Sequence, residues 1–157
     1  MAIQEGDRIP AVTLQDSEGG TIALDDYVGR PLILYFYPKD DTTGCTREAQ
    51  DFSALMPEFA ALDARVLGVS KDSPGRHQKF IAKYELGVPL ATDTDDQALA
   101  AFGVWVEKQL YGKRYMGIDR STFLFDASGV LVRAWRKVRV PGHAEAVLEA
   151  TRALTPV

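Results

Sequence analysis

A single cysteine, two histidines and no long apolar run stand out among the 157 residues, and each scarcity excludes something. Cys45 alone cannot close an internal disulfide, so a disulfide scaffold is ruled out. A free thiol in a reducing, cytoplasmic setting is the default reading. His77 and His143 lie far apart on polar stretches, so no metal site is read from them. Asp93, Asp95 and Asp96 lack the glycine and distal glutamate of a calcium loop and read instead as helix caps. Glycine-rich phosphate loops and dinucleotide fingerprints are absent, so no nucleotide-binding loop is read. No stretch reaches the ~18 apolar residues of a membrane span, and no charged-then-apolar leader precedes Ile3, so no membrane partner is expected. The net charge of −4 leaves no footprint for nucleic acid. The basic stretch at 133–139 (RAWRKVR) reads as a solvated strand face.

What is present suits one domain over residues 1–157, long enough to bury ~70% of its unfolded surface. Hydrophobic residues make up 46% and charged residues 25%, ordinary for a globular chain. Short alternating pieces at 12–14 and 21–24, joined by a Gly19-Gly20 turn, predict an N-terminal hairpin. Asp25 or Asp26 is expected to cap a one-turn helix. Residues 32–36 (LILYF) are apolar without alternation, as in a strand buried on both faces. Helical spacing then runs from Gly44 to Leu62, with a kink expected before Pro57. A second buried strand follows at 65–70. Ser73-Pro74 opens a helix to about Tyr84. A short strand at 88–91, a helix ending near Gly103, strands at 121–125 and 130–138, and a helix from His143 to Leu154 complete the order ββαβαβαββα. Crossovers of this kind imply an α/β fold with helices on both faces of the sheet.

The chemistry concentrates between residues 36 and 52. A buried strand feeds a helix through Pro38-Lys39-Asp40-Asp41-Thr42-Thr43-Gly44, and Cys45 stands at the helix start. There the free N–H groups and the helix dipole favour a thiolate. A lone cysteine is more often a small core hydrophobe, but the polar loop before it argues for a reactive one. Asp40-Asp41 is expected to face solvent at the loop tip.

Pro38, Thr42 and Cys45 have the spacing of the active-site signature of the peroxiredoxins. YFYPKDDTTGCTREAQDF resembles the bacterioferritin-comigratory, or Q-type, branch. Segments around Gly68–Ser73, Tyr111–Lys113, Gly117–Leu124 and Trp135–Gly142 are similar to that branch in the same order. The resemblance implies a thioredoxin-like fold: a central mixed sheet, helices on both faces and an N-terminal β-hairpin. It also implies a peroxidase without metal, haem or flavin. Cys45 would be the nucleophile, with Thr42, Arg120 and Pro38 completing the catalytic set and Glu48 supporting Arg120. Arg120 offers a permanent charge and a rigid fork of donors for the thiolate and the departing oxygen.

Q-type relatives commonly carry a resolving cysteine, but the corresponding positions here are Gln50 and about Ile81. The resemblance therefore implies a one-cysteine cycle. A hydroperoxide oxidises Cys45 to a sulfenic acid, and an external thiol (thioredoxin, glutaredoxin or glutathione) regenerates it. The alternative is a sensor that oxidises at Cys45 and signals to a partner without efficient turnover. A Cys-x-x-Cys oxidoreductase is disfavoured by the missing second cysteine. Trp105, Leu110, Tyr111, Tyr115 and Met116 gather apolar surface ahead of Arg120. Core packing or a dimer contact explains them, and a rim for organic hydroperoxides that includes Tyr37, Trp105 and Tyr111 is the sharper reading. A monomer or weak homodimer is expected.

Overall fold

The computed structural model describes residues 2–154. Its centre is β3 (Leu32–Phe36), every residue of which is buried. Successive side chains of a strand point to opposite faces. Leu32, Leu34 and Phe36 accordingly enter one core with Leu99 and Phe102. Ile33, Tyr35 and Tyr37 enter the other, with Cys45, Phe52, Phe80 and Val147. The unbroken apolar run in the sequence is thus a strand read by two cores at once.

Seven strands form one sheet in the order β2-β1-β5-β4-β3-β8-β9. The strands β1 (Thr13–Asp16) and β2 (Thr21–Ala23) make the expected N-terminal hairpin. β4 (Arg65–Ser70) lies parallel to β3, and β5 (Leu90–Thr92) lies parallel to β4. β8 (Ser121–Phe125) runs antiparallel to β3 on its other side, and β9 (Leu131–Trp135) closes the sheet. The sheet is mixed and helices cover both faces, as expected. α1 (Thr43–Ala61), α2 (Pro74–Tyr84) and α4 (His143–Arg152) contribute to the Tyr35 face, and α3 (Gln97–Phe102) contributes to the Phe36 face. α1 continues through Pro57 as one helix. Ser73 caps α2, its hydroxyl accepting from the Arg76 N–H at 3.2 Å, with Pro74 at the first helical position.

Several expectations need correction. Residues 105–118, where the sequence pattern predicts no element, form an antiparallel hairpin of β6 (Trp105–Leu110) and β7 (Lys113–Ile118), separate from the main sheet. Tyr111 and Gly112 turn it, both at positive φ. Asp25 and Asp26 do not cap a helix; they lie inside a 3₁₀ turn, Leu24–Tyr27, whose N-cap is Ala23. The last sheet strand stops at Trp135 rather than Val138, and Arg136 turns back to donate to the Phe102 carbonyl at 2.9 Å. The reading of the Asp93–Asp96 run holds in part. Asp93 accepts from the Leu99 N–H at 2.9 Å and Asp95 from the Gln97 N–H at 3.2 Å, whereas Asp96 makes no side-chain cap.

Candidate active site

β3 ends at the sheet edge where Pro38 begins the loop, and α1 starts at Thr43. Thr42 is the N-cap in extended conformation, and the first intrahelical bond runs from the Thr46 N–H to the Thr42 carbonyl, 2.8 Å. The N–H of Cys45 therefore lies ahead of the helical ladder, without an acceptor inside the helix. Packing pulls the thiol inward: Cys45 is 2% exposed and belongs to the core of Tyr35 and Phe52. Tyr35 stacks on Phe52 with centroids 4.7 Å apart. Gly68 leaves room for the Tyr35 ring, since a Cβ there would come within 2.6 Å of it.

Arg120 arrives from the opposite side of the sequence, immediately before β8. One end of its guanidinium donates to Cys45 Sγ, with Nη2 at 3.4 Å, and Nη1 lies 2.7 Å from Glu48 Oε1. Gly44 permits this approach, because a Cβ at residue 44 would sit 3.1 Å from Nη2. Glu48 is one helical turn beyond Cys45, so one rigid fork spans both side chains.

The pair is electrostatically lopsided. Burial of Glu48 raises its carboxyl pKa to about 7, and Arg120 offsets this only in part. Burial opposes the charge of Arg120 as well, yet Glu48 and Cys45 outweigh it and the guanidinium is held more firmly protonated. Oε2 of Glu48 is buried with no hydrogen-bond partner among the described residues.

Cys45, Arg120 and Glu48 thus meet, with Gly44 as an unforeseen accomplice. Thr42 stands exposed at the helix start, its hydroxyl donating to the Lys39 carbonyl at 2.8 Å rather than to the sulfur. Pro38 lines a groove with Lys39, Lys71, Trp105, Lys108, Tyr115, Met116 and Ile118. Of the three residues expected at a rim, Trp105 lines this groove beside Pro38. Tyr37 and Tyr111 do not. Tyr37 is buried and spends its hydroxyl on Asp40, and Tyr111 is 95% exposed at the tip of the β6–β7 hairpin, outside the groove.

Asp40 is a further correction. It is buried, whereas Asp41 alone is exposed. His77 and His143, read as residues of polar stretches, are both buried. His143 Nε2 pairs with Thr122 Oγ1 at 2.8 Å, and burial lowers its pKa to about 4, helped by the charge of Arg120. Helix periodicity held the signal for His77, which falls three residues before buried Phe80 on α2. No group of three or more metal-ligating side chains occurs among the described residues. No helix among them is long and apolar enough to cross a membrane.

A buried cysteine at the start of a helix that follows a central strand, on a mixed sheet covered on both faces, defines the thioredoxin-like class of α/β proteins. Comparison with known proteins narrows the class. The AhpC/TSA family matches residues 5–134. Peroxiredoxin Bcp of Xanthomonas campestris pv. campestris is 49% identical over 149 residues, covering 92% of this chain and 93% of that protein. Peroxiredoxin Bcp of Bacillus subtilis is 45% identical, covering 97% of each. A solved structure of the X. campestris bacterioferritin comigratory protein superposes with a TM-score of 0.89 at 45% identity, covering 98% of this chain and 100% of that one. A cysteine-to-serine mutant of PrxQ from Xylella fastidiosa gives a TM-score of 0.91 at 41% identity, covering 98% of each. The chain belongs to the AhpC/TSA family and, within it, to the peroxiredoxins of the Bcp/PrxQ branch, which are thiol peroxidases.

Proposed function

We propose that this peroxiredoxin runs a one-cysteine cycle on hydrogen peroxide and organic hydroperoxides, within a single domain over residues 1–157. The observation that carries the reading is the guanidinium of Arg120, bonded at once to Cys45 Sγ and Glu48 Oε1. The Cys45 thiolate attacks one peroxide oxygen. A bond from sulfur to that oxygen forms, the O–O bond breaks, and the departing oxygen takes a proton to leave as water or an alcohol. Arg120 is aimed at the sulfur before reaction and at the charge growing on the departing oxygen during it. The Thr42 hydroxyl spends its proton on the Lys39 carbonyl, so its oxygen is free to accept from the hydroperoxide O–H. The unpaired N–H of Cys45 donates to the attacked oxygen. Pro38 stiffens the loop and contributes one wall of the pocket. Glu48 holds the fork of Arg120 in register.

Cys45 is the one cysteine of the chain, so the sulfenic acid is reduced from outside. A thiol of the thioredoxin, glutaredoxin or glutathione class supplies the electrons, as for a thioredoxin-dependent peroxiredoxin working in the cytoplasm as a monomer or weak homodimer. The bacterioferritin comigratory protein of X. campestris is described as reducing alkyl peroxides. The groove walled by Trp105, Tyr115, Met116 and Ile118 gives an alkyl chain apolar surface beside Pro38.

Mass spectrometry after one equivalent of peroxide, followed by steady-state turnover with each thiol class, tests the cycle. Cys45 should gain one oxygen and lose it again to at least one thiol, and Cys45→Ser should consume no peroxide while keeping the fold. Peroxide consumption surviving in Cys45→Ser would remove the nucleophile. Oxidation of Cys45 that no thiol reverses would favour the sensor.

A further inference from the structure

Strand alternation sends Tyr35 and Tyr37 into the core that holds Cys45, and the two phenols end in opposite surroundings. The Tyr35 ring lies 5.6 Å from that of Tyr37 and 4.7 Å from that of Phe52, centroid to centroid. Its hydroxyl is buried with no hydrogen-bond partner among the described residues. The Tyr37 hydroxyl donates to Asp40 Oδ1 at 2.5 Å. Asp40 Oδ2 in turn lies 2.7 Å from His77 Nδ1, and His77 Nε2 faces the Ala91 carbonyl at 3.0 Å. Tyr37, Asp40 and His77 are all buried. The cycle assigned to Cys45 uses none of the three.

We propose that Tyr37 is a one-electron site: it takes over the electron vacancy left when a radical oxidant strips one electron from the Cys45 thiolate, and Asp40 receives the phenolic proton. This goes beyond hydroperoxide reduction, a two-electron reaction, and rests on the reading that Arg120 holds Cys45 as a thiolate. A phenol that has lost an electron is a strong acid. Without a proton acceptor it stays a cation, and an isolated charge in a low-dielectric interior is costly. Tyr35 would be left in that state. Tyr37 would not, because a carboxylate oxygen already holds its proton in a hydrogen bond. His77 keeps that carboxylate in place. The Ala91 carbonyl only accepts, so Nε2 carries a proton, and a further proton lies on the line between Nδ1 and Oδ2. Burial holds the Tyr37 pKa well above the usual tyrosine range, so the phenol keeps its proton until the electron is gone. Arg120 acts on the sulfur in the opposite sense. Its charge beside Sγ favours the thiolate over the neutral thiyl radical, which drives the vacancy off the sulfur.

A peroxyl radical takes one electron from the Cys45 thiolate and one proton from solvent, giving a hydroperoxide and a Cys45 thiyl radical. An electron then passes from Tyr37 to the sulfur through the core they share with Tyr35, and the thiolate is restored. The phenolic O–H bond breaks, its proton bonds to Asp40 Oδ1, and Tyr37 remains as a neutral phenoxyl radical. A one-electron donor of the ascorbate class returns the electron from outside, and Asp40 returns the proton. The hydroperoxide made in the first step is a substrate of the same thiolate, so one sulfur disposes of both species. Among the described residues Tyr84 also donates its hydroxyl to a carboxylate, that of Asp41 at 2.6 Å. Asp41 is exposed, so that pair lacks the dry surroundings of Tyr37 and Asp40.

Cys45 is the one cysteine of the chain, so a small nitrosothiol loads nitric oxide onto this sulfur alone, and light then splits the S–N bond to leave the thiyl radical. Electron paramagnetic resonance of the full chain, photolysed in a frozen glass and annealed under argon, reads where the vacancy settles. Wild type should give a tyrosyl spectrum as its main radical. Tyr37→Phe should cut that signal at least ~10-fold, the population change given by about 1.4 kcal/mol of lost preference. Asp40→Asn keeps the phenol and removes the proton acceptor; it should cut the signal as well, and it decides the question if Tyr37→Phe fails to fold. Tyr84→Phe should leave the spectrum as it is. A merely structural role for Tyr37, Asp40 and His77 would leave the radical yield unchanged in every variant. That pattern, a wild-type spectrum without a tyrosyl radical, or loss of the signal in Tyr84→Phe overturns the proposal. Photolysis makes the thiyl radical without peroxide. Failure of wild-type Cys45 to react with hydroperoxides would therefore end the assigned cycle, while the spectra still judge Tyr37 separately.

Discussion

Replacing Arg120 by alanine puts the site's electrostatics to the most direct test. The guanidinium stands 3.4 Å from the sulfur and 2.7 Å from a Glu48 oxygen. At an effective dielectric near 20, a unit charge at that distance from a thiolate is worth ~5 kcal/mol, an upper figure because Arg120 is only partly buried. Removal of one preorganised donor at a developing anion costs ~10²–10³ in rate, or roughly 3–4 kcal/mol. The two figures overlap, so oxidation of Arg120→Ala by hydrogen peroxide should be ~10²–10³ slower. Stopped-flow measurement with limiting peroxide isolates that step from reduction. Arg120→Lys retains a charge but no fork, and it cannot reach Sγ and Oε1 with two fixed nitrogens. It should fall between alanine and wild type. An Arg120→Ala rate within threefold of wild type, in a folded protein, would refute the reasoning.

Gly44→Ala should slow the same step without removing any catalytic group, because the new methyl would lie 3.1 Å from Arg120 Nη2 and push the fork off the sulfur; a rate unchanged by this substitution would mean the guanidinium has slack. Stability should pass through opposing slopes with pH. The Glu48 pKa is raised from 4.5 in the unfolded chain to about 7, so its burial destabilises the fold progressively as pH rises through that window, by on the order of 3 kcal/mol at full ionisation. The His143 pKa is lowered from 6.5 to about 4, so stability is lost as pH falls from 6.5 toward 4. Urea unfolding across pH 4–8 reads both slopes. Glu48→Gln should flatten the one above pH 4.5, and an unaltered slope in that variant would assign it elsewhere.

The sequence carried the core of the site because its parts are local. Cys45, Thr42 and Pro38 share one loop, and Glu48 follows at one helical turn. Periodicity also placed β3, β4 and α2, where burial on two faces or one stripe leaves a plain pattern. Arg120 is 75 residues from Cys45, and only the family resemblance, not spacing, could pair them. The interior of the loop was misread for a related reason. Adjacent aspartates look alike in a sequence, and solvent is the ordinary home of both. Burying Asp40 requires His77, 37 residues away. The β6–β7 hairpin escaped notice because neither face is deeply buried: Trp105, Leu110, Tyr115 and Met116 are all substantially exposed. Apolar and charged residues mix along it without clean alternation. Tyr37, expected at the rim, is turned into the core by strand alternation.

That alternation makes β3 a ruler. Its five residues are shared between two interiors, so adding or deleting one would exchange every side chain across the sheet. On deletion, Phe36 would press where Tyr35 fits over Gly68, and Pro38 would start one step early. Length changes in this protein are therefore tolerable at the outer tip of the β6–β7 hairpin, around Tyr111, and intolerable in the few residues leading to the sulfur. A deep insertion scan should trace that boundary as a sharp edge at the start of β3.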